Sequence, residues 1–349
     1  MFTPVMPPFA FDIFFTPHHL VTPYAQNWNF NVEQELSKNM GLQLGYVGSK
    51  GSKLVRLRDA NQAFADGSRP NPNYGFMDEF ANLSSSTYHA FQGTLRVMGS
   101  HGLSGFAGYT WSKSLDDASD AIDFAPTVAL PQNSNNLKAE HGPSNFDTRH
   151  RLTAAFTYQI PRLFGPKGLA EGWQANTIFT AQSGRPIPIV TSRDTSGSGF
   201  PTPSNSHQRP NLVPGVNPIN SNWESAPDTN GYLNPLAFAQ PPTPTGSAGS
   251  FGDLGRNTIF GPHFWDLDFG LAKNTPIFER LNLQFRAEFF NIFNHPNFAL
   301  PNWFVNPGSG VANPPATGLI TQTPDQAQTN PGLGGGGPRV IQLGLKLIF

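Results

Sequence analysis

The chain has 349 residues and a formal charge of -1, and Gly (35) and Pro (34) make up about a fifth of its positions, which leaves little room for long helices. Charged residues are only 13% where about 25% is usual, so the basic surface a nucleic-acid binder needs is missing. There is no cysteine, which excludes disulfides, thiolate metal sites and cysteine nucleophiles, and no apolar run approaches the ~20 residues of a membrane helix. A membrane β-barrel stays open, because its alternating strands leave no hydropathy peak.

The N-terminal stretch MFTPVMPPFAFDIFF is apolar but broken by proline, and it lacks the basic region and cleavage site of a signal peptide. Residues 1 to about 26 read as the tail of an external loop. From there, period-2 alternation predicts nine strands: Asn27 to Leu36, Met40 to Ser49, His89 to Gly99, Leu103 to Ser112, Arg149 to Ile160, Trp173 to Ser183, His263 to Lys273, Leu281 to Phe293 and Arg339 to Phe349. In the eighth, Leu281, Leu283, Phe285, Ala287 and Phe289 share one face, while Asn282, Gln284, Arg286 and Glu288 share the other.

The spacers alternate as well. Short connections follow the first, third, fifth and seventh strands, and long ones lie at about 50–88, 113–148, 184–262 and 294–338. That is the rhythm of an outer-membrane barrel with short periplasmic turns and long external loops. It makes every odd strand run toward the periplasm. Trp28, Tyr46, Trp111 and Trp265 then fall near outer strand ends and Trp173 near an inner end, as two aromatic girdles would require. An odd count conflicts with the even numbers of bacterial single-chain barrels. The expected fold class is therefore all-β: part of a larger antiparallel transmembrane barrel over 27–349, without plug or signal peptide.

Several stretches carry a family resemblance: NWNFNVEQEL with GLQLGYVGSKGSKL, YHAFQGTLRV, GLSGFAGYTWSKSLDD, FDTRHRLTAAFTYQIP, GWQANTIFTAQSGRPIP and AEFFNIFNHPNFALP. Together they resemble the C-terminal barrel of Oar-like TonB-dependent outer-membrane receptors. The resemblance implies a 22-stranded barrel filled by an N-terminal plug, energised through TonB, located in the outer membrane of a Gram-negative-type bacterium. Implied partners are outer-membrane lipid, the plug, TonB and a large solute. Leu343, Leu345, Leu347 and terminal Phe349 alternate to the last residue. Such an ending resembles the signal read by the barrel-assembly machinery through β-augmentation.

Enzyme chemistry finds no footing. His18 with His19, Glu140 with His141, and Asp147 with His150 lack the HExxH spacing, and there is no GxSxG elbow. No cofactor is implied. Asp116, Asp117, Asp120 and Asp123 cluster on an external loop and form a weak Ca²⁺ candidate without EF-hand spacing. On the predicted lumen face, a turn centred near Pro276 would set Arg286 across from Asp266 or Asp268, with Glu288 beside it, as a structural ion pair or a contact to the plug. In the longest loop, Trp223, Tyr232 and Phe238 are candidate ligand contacts. The alternatives to a transporter barrel are a non-transporting structural or adhesive outer-membrane protein and a soluble secreted β-sandwich that binds glycans.

Overall fold

The computed structural model describes residues 11–64, 66–120, 130–162, 165–191, 194–198, 208–242, 250–278, 281–305, 317–324, 326 and 336–349. Nine long strands form the frame: β1 (Tyr24–Ser37), β2 (Met40–Asp59), β3 (Tyr74–Ser100), β4 (Leu103–Asp116), β5 (His150–Gln159), β6 (Trp173–Gln182), β7 (Phe264–Phe278), β8 (Leu281–Phe290) and β9 (Val340–Ile348). Each pairs antiparallel with its sequence neighbour, so the sheet is a single meander from β1 to β9. The sheet is open, with β1 and β9 at its two ends.

The short connections are tight because the chain supplies suitable turn residues. Lys38 and Asn39 join β1 to β2, and His101 and Gly102 join β3 to β4. His101 (φ 51°) and Gly102 (φ 84°) are both left-handed, the twist that a two-residue hairpin needs. A Cβ at Gly102 would stand 2.7 Å from the Gln159 carbonyl, so the turn also relies on glycine for space beside β5. The β7–β8 hairpin closes at the pair Phe278 and Leu281.

Register carries the alternation across the whole sheet. One cross-strand row on the outward face reads Phe30, Tyr46, Phe91, Trp111 and His150. Further along, Phe269 faces Phe289, which faces Ile341. Among the described residues this apolar face has no second layer: Phe30 is 68% exposed, Trp111 59% and Leu345 70%. A sandwich would bury those side chains under a second sheet. Here they form a continuous apolar surface suited to lipid.

Several element bounds differ from those the periodicity suggests. β2 and β3 run beyond Ser49 and begin before His89 as one long hairpin, where a loop over about 50–88 was expected. The alternation is scrambled there by register shifts between Gly51 and Leu54 and between Leu54 and Arg56, with Lys53 left-handed at φ 55°. A short strand, Phe11–Phe15, lies parallel to the outer part of β3, within what was expected to be a loop tail. β8 stops at Phe290 rather than Phe293, because Asn291 and Asn294 take left-handed conformations and turn the chain.

The long connections between β6 and β7 and between β8 and β9 pack together over one end of the sheet. Their core includes Ile187, Ile189, Leu233, Ala237, Leu254, Val305 and Ile320, all at most 3% exposed. Two small two-stranded ladders, 211–212 with 238–239 and 186–187 with 259–260, tie this cap together.

Candidate functional site

The face opposite the apolar one is the candidate lumen wall, and its rows are polar over most of the sheet. One runs Glu33, Gln43, Thr94, Gly108, Thr153, Thr180 and Asp266 across seven strands. A cavity of about 370 Å³ at the short-turn end is lined by Glu33, Glu35, Gln43, Thr94 and Arg96, among others. Phe106, Ala155 and Ile178 are adjacent apolar positions on this wall, and the run stops at Asp268, opposite Ile178.

Asp266, Asp268, Arg286 and Glu288 all lie on this wall, yet the expected pairing across the hairpin is absent. Arg286 stands opposite Ala272 and Glu288 opposite Gly270. Pro276 pairs with Asn282 and Phe278 with Leu281, so the reversal lies beyond Pro276, which slides both aspartates away from the arginine. Arg286 instead reaches Glu288 along its own strand at 4.0 Å and donates to Gln284 Oε1 at 2.7 Å. Asp268 accepts from the Asn291 amide at 2.9 Å, helping to end β8.

The external end is held by buried charge pairs that the sequence did not disclose. Arg209 makes a two-pronged contact with Glu140 at 2.8 and 3.0 Å, both side chains being almost fully buried. Arg256 donates to the carboxylate of Asp116, and its Nε donates to the Glu140 carbonyl at 2.7 Å. Arg56, 1% exposed, donates to the Asp117 carbonyl at 2.9 Å, and burial lowers its pKa. The β4–β5 and β6–β7 connections and the outer part of β2 are thus cross-linked by guanidinium groups, whose planar forks satisfy several acceptors at once. None of these partners is within 20 residues of its arginine in sequence, so no local motif marks them.

Among the described residues the Ca²⁺ candidate does not assemble. Asp116 is committed to Arg256 and Ser119, and Asp117 accepts from the Ser85 amide at 2.8 Å and pairs with His141 at 2.8 Å. Asp123 lies outside the described residues, and among the described residues no three carboxylate or histidine groups converge. Asp147 serves Arg149 at 2.5 Å and the Ser114 amide at 2.7 Å.

Trp223, Tyr232 and Phe238 are also placed differently from expectation. They are 9%, 5% and 3% exposed and form part of the cap core, with Trp223 edge-on to Tyr232 at 4.9 Å. Their apolar area is spent on folding the loop, leaving no face for a ligand. The Tyr232 hydroxyl donates to the Phe260 carbonyl at 2.8 Å, and burial beside Glu224 pushes its pKa to about 12.

A second buried set sits at the tip of the β2–β3 hairpin. Asp59 and Asp78 are directly cross-strand and both under 9% exposed. Asp59 accepts from the amides of Asn61 and Met77 and pairs with Arg69 at 3.4 Å. Asp78 Oδ1 has no hydrogen-bond partner, and burial, with Asp59 and Asp12 nearby, raises its pKa from 3.8 to about 6.

Trp28, Tyr46, Trp111, Trp173 and Trp265 all fall on the apolar face. Trp173 caps the inner end of β6, donating to the Leu169 carbonyl at 2.8 Å with Lys273 over its ring at 5.1 Å. At the other end of the sheet, Leu343, Leu345 and Leu347 are 68%, 70% and 50% exposed on the edge strand, and Phe349 is 92% exposed.

An antiparallel meander with one uncovered apolar face, one polar face and long connections gathered at one end is the wall of a membrane β-barrel. The chain belongs to the outer membrane beta barrel domain family, whose description matches residues 2–342, and its setting is the outer membrane of Gram-negative bacteria. No curated protein matches the sequence significantly. Among solved structures it is similar to the outer membrane transporter YddB from Escherichia coli, at 10% identity and TM-score 0.47, over 97% of this chain and 34% of that one. It is also similar to P. aeruginosa FpvA in a pyoverdine complex, at 10% identity and TM-score 0.45, over 94% and 27%. FpvAI in complex with pyocin S2 matches at 11% identity and TM-score 0.44, over 94% and 28%. The chain spans about a third or less of the length of these solved chains.

Proposed function

We propose that this chain is the barrel portion of a TonB-dependent receptor of Oar-like type, binding a large solute at its external end and passing it through a plugged lumen. The observation that carries the reading is the inner wall. Its charged groups include Glu33, Glu35, Arg96, Arg151, Asp266, Asp268, Arg286, Glu288 and Lys346, and among the described residues the one ion pair between them is Arg286 with Glu288 at 4.0 Å. A polar lining of that kind needs water or a second polar domain against it. The work is binding and gating, with no bond made or broken. Leu343, Leu345, Leu347 and Phe349 present the assembly signal in this reading, and the five aromatic residues anchor the wall at the two lipid interfaces.

An antibody raised against the cap tests the proposal on outer-membrane fractions of the source cells. A band well above 38.0 kDa, whose peptides include a plug and whose protein cross-links to TonB, is expected. A membrane species of the chain's own mass with no plug peptide in complex refutes it. That second outcome favours a non-transporting structural or adhesive role.

A further inference from the structure

The outward face carries a cluster that neither the lumen nor the cap uses. Lys113 on β4 is directly opposite His89 on β3. On its other side, His150 of β5 pairs with Trp111, which places it diagonal to Lys113. Direct and diagonal neighbours in an antiparallel pair have Cβ atoms about 5 Å and about 7–8 Å apart, so Lys113 neighbours both histidines, one on either side of its strand. All three are exposed.

Both imidazoles are held in the same way. The Tyr46 hydroxyl is 2.7 Å from His89 Nδ1, and the Tyr109 hydroxyl is 2.7 Å from His150 Nδ1. The two ring pairs repeat, with centroids 6.2 Å apart and interplanar angles of 20° and 21°. In the tautomer with its proton on Nε2, Nδ1 accepts from the tyrosine hydroxyl and the ring N–H is directed away from the tyrosine. Trp28 lies beside His89 at 6.1 Å, and Trp111 is in register with His150.

No carboxylate competes for this area. On the outward face, the stretches Tyr24 to Leu36, Met40 to Ser52, Ser85 to Val97, Leu103 to Leu115 and His150 to Tyr158 contain none. Just beyond β4, Asp117 is committed to Ser85 and His141. Among the described residues Lys113 makes no ion pair, and Lys50 adds a further cation on the same face two residues beyond Gly48.

We infer that Lys113, His89 and His150 form a site on the lipid-facing rim for the phosphate of a membrane-lipid headgroup. The ammonium supplies the charge and the two Nε2–H groups supply directed donors. The flanking indoles lie at the depth where a lipid's polar and apolar parts meet. A free phosphate would satisfy the same three groups, but only a lipid also uses the apolar face below them, where Tyr109, Leu152 and Phe91 lie.

The test uses the full chain extracted from outer membranes in mild detergent and examined by native mass spectrometry after incubation with phosphatidic acid or with diacylglycerol. Retention of one phosphatidic acid, and of no diacylglycerol, is expected. Lys113→Ala should lower retention about fivefold, the effect of one basic residue at a charged lipid surface, and Lys113→Arg should restore it. Lys38→Ala, in a turn at the opposite end, should match the unmodified protein. The inference is overturned if Lys113→Ala retains as much lipid as the parent, or if diacylglycerol is retained equally. Complete displacement by millimolar inorganic phosphate would overturn the lipid assignment in favour of a free anion. Should Lys113→Ala not reach the membrane, the double variant His89→Gln with His150→Gln is read by the same criteria.

Discussion

Replacing Asp78 by Asn should stabilise the tip of the β2–β3 hairpin and remove most of its pH dependence. The carboxylate is buried opposite Asp59 with one oxygen unpartnered, and its pKa is raised from 3.8 to about 6. At 1.36 kcal/mol per unit, that shift means ionised Asp78 costs the folded tip about 3 kcal/mol. For an acid whose pKa is raised by folding, the penalty is absent below about pH 4. It grows as pH rises through the two values and is complete above about pH 6. Lowering the pH from 7.5 to 5 should therefore return about half of it, because protonation removes the buried charge and its repulsion with Asp59 and Asp12. Hydrogen exchange at the amides of 51–59 and 74–86, corrected for intrinsic rates, reads the opening free energy of this segment. The parent should gain about 1.5 kcal/mol of protection at the lower pH, while Asp78→Asn stays flat and better protected throughout. Equal protection in the two proteins at pH 7.5, or a parent that loosens on acidification, would refute the reasoning.

Three further outcomes follow from the same geometry. Glu140→Gln leaves the Arg209 guanidinium buried without its partner and should destabilise the cap by about 3–5 kcal/mol, read as faster proteolysis between 184 and 262 with the sheet intact. Leu233→Ala, at a position with 0% exposure in the cap core, should cost about 2–5 kcal/mol by opening a cavity, seen as a lowered midpoint of the cap transition in denaturant. Deleting Phe349 should leave β9 paired with β8 but slow insertion, measured as the fraction of chain reaching the outer membrane in a pulse-chase.

The frame was legible in the sequence because lipid on one side and a polar lumen on the other impose strict alternation, and alternation survives without any alignment. All nine expected strands are present in the expected order. What alternation cannot encode is register. The Arg286 pairing was missed because the reversal lies beyond Pro276, with an irregularity between Pro276 and Phe278, which moves every partner on the hairpin. Burial inside loops was equally hidden. Trp223 and Phe238 look like ligand contacts when their loop is read alone, and become core only when Val305 and Ile320 arrive from another loop. The arginine anchors, Arg56, Arg209 and Arg256, were missed for the same reason, since each finds its acceptors in a distant connection. The one available signal was the sparseness of charge itself, which makes each arginine in a loop worth a search for its partner.

The parity of the meander constrains whatever completes the wall. Because successive strands reverse, β1 and β9 point the same way, and each offers one free edge. Joined directly to each other, or to a second copy in the same orientation, they would meet as parallel strands. An antiparallel seam on both sides requires a complement whose first and last strands both run opposite to them, so that complement must contain an odd number of strands. An even-stranded contribution would leave one mismatched seam, and its location would be set by which of the two free edges pairs first.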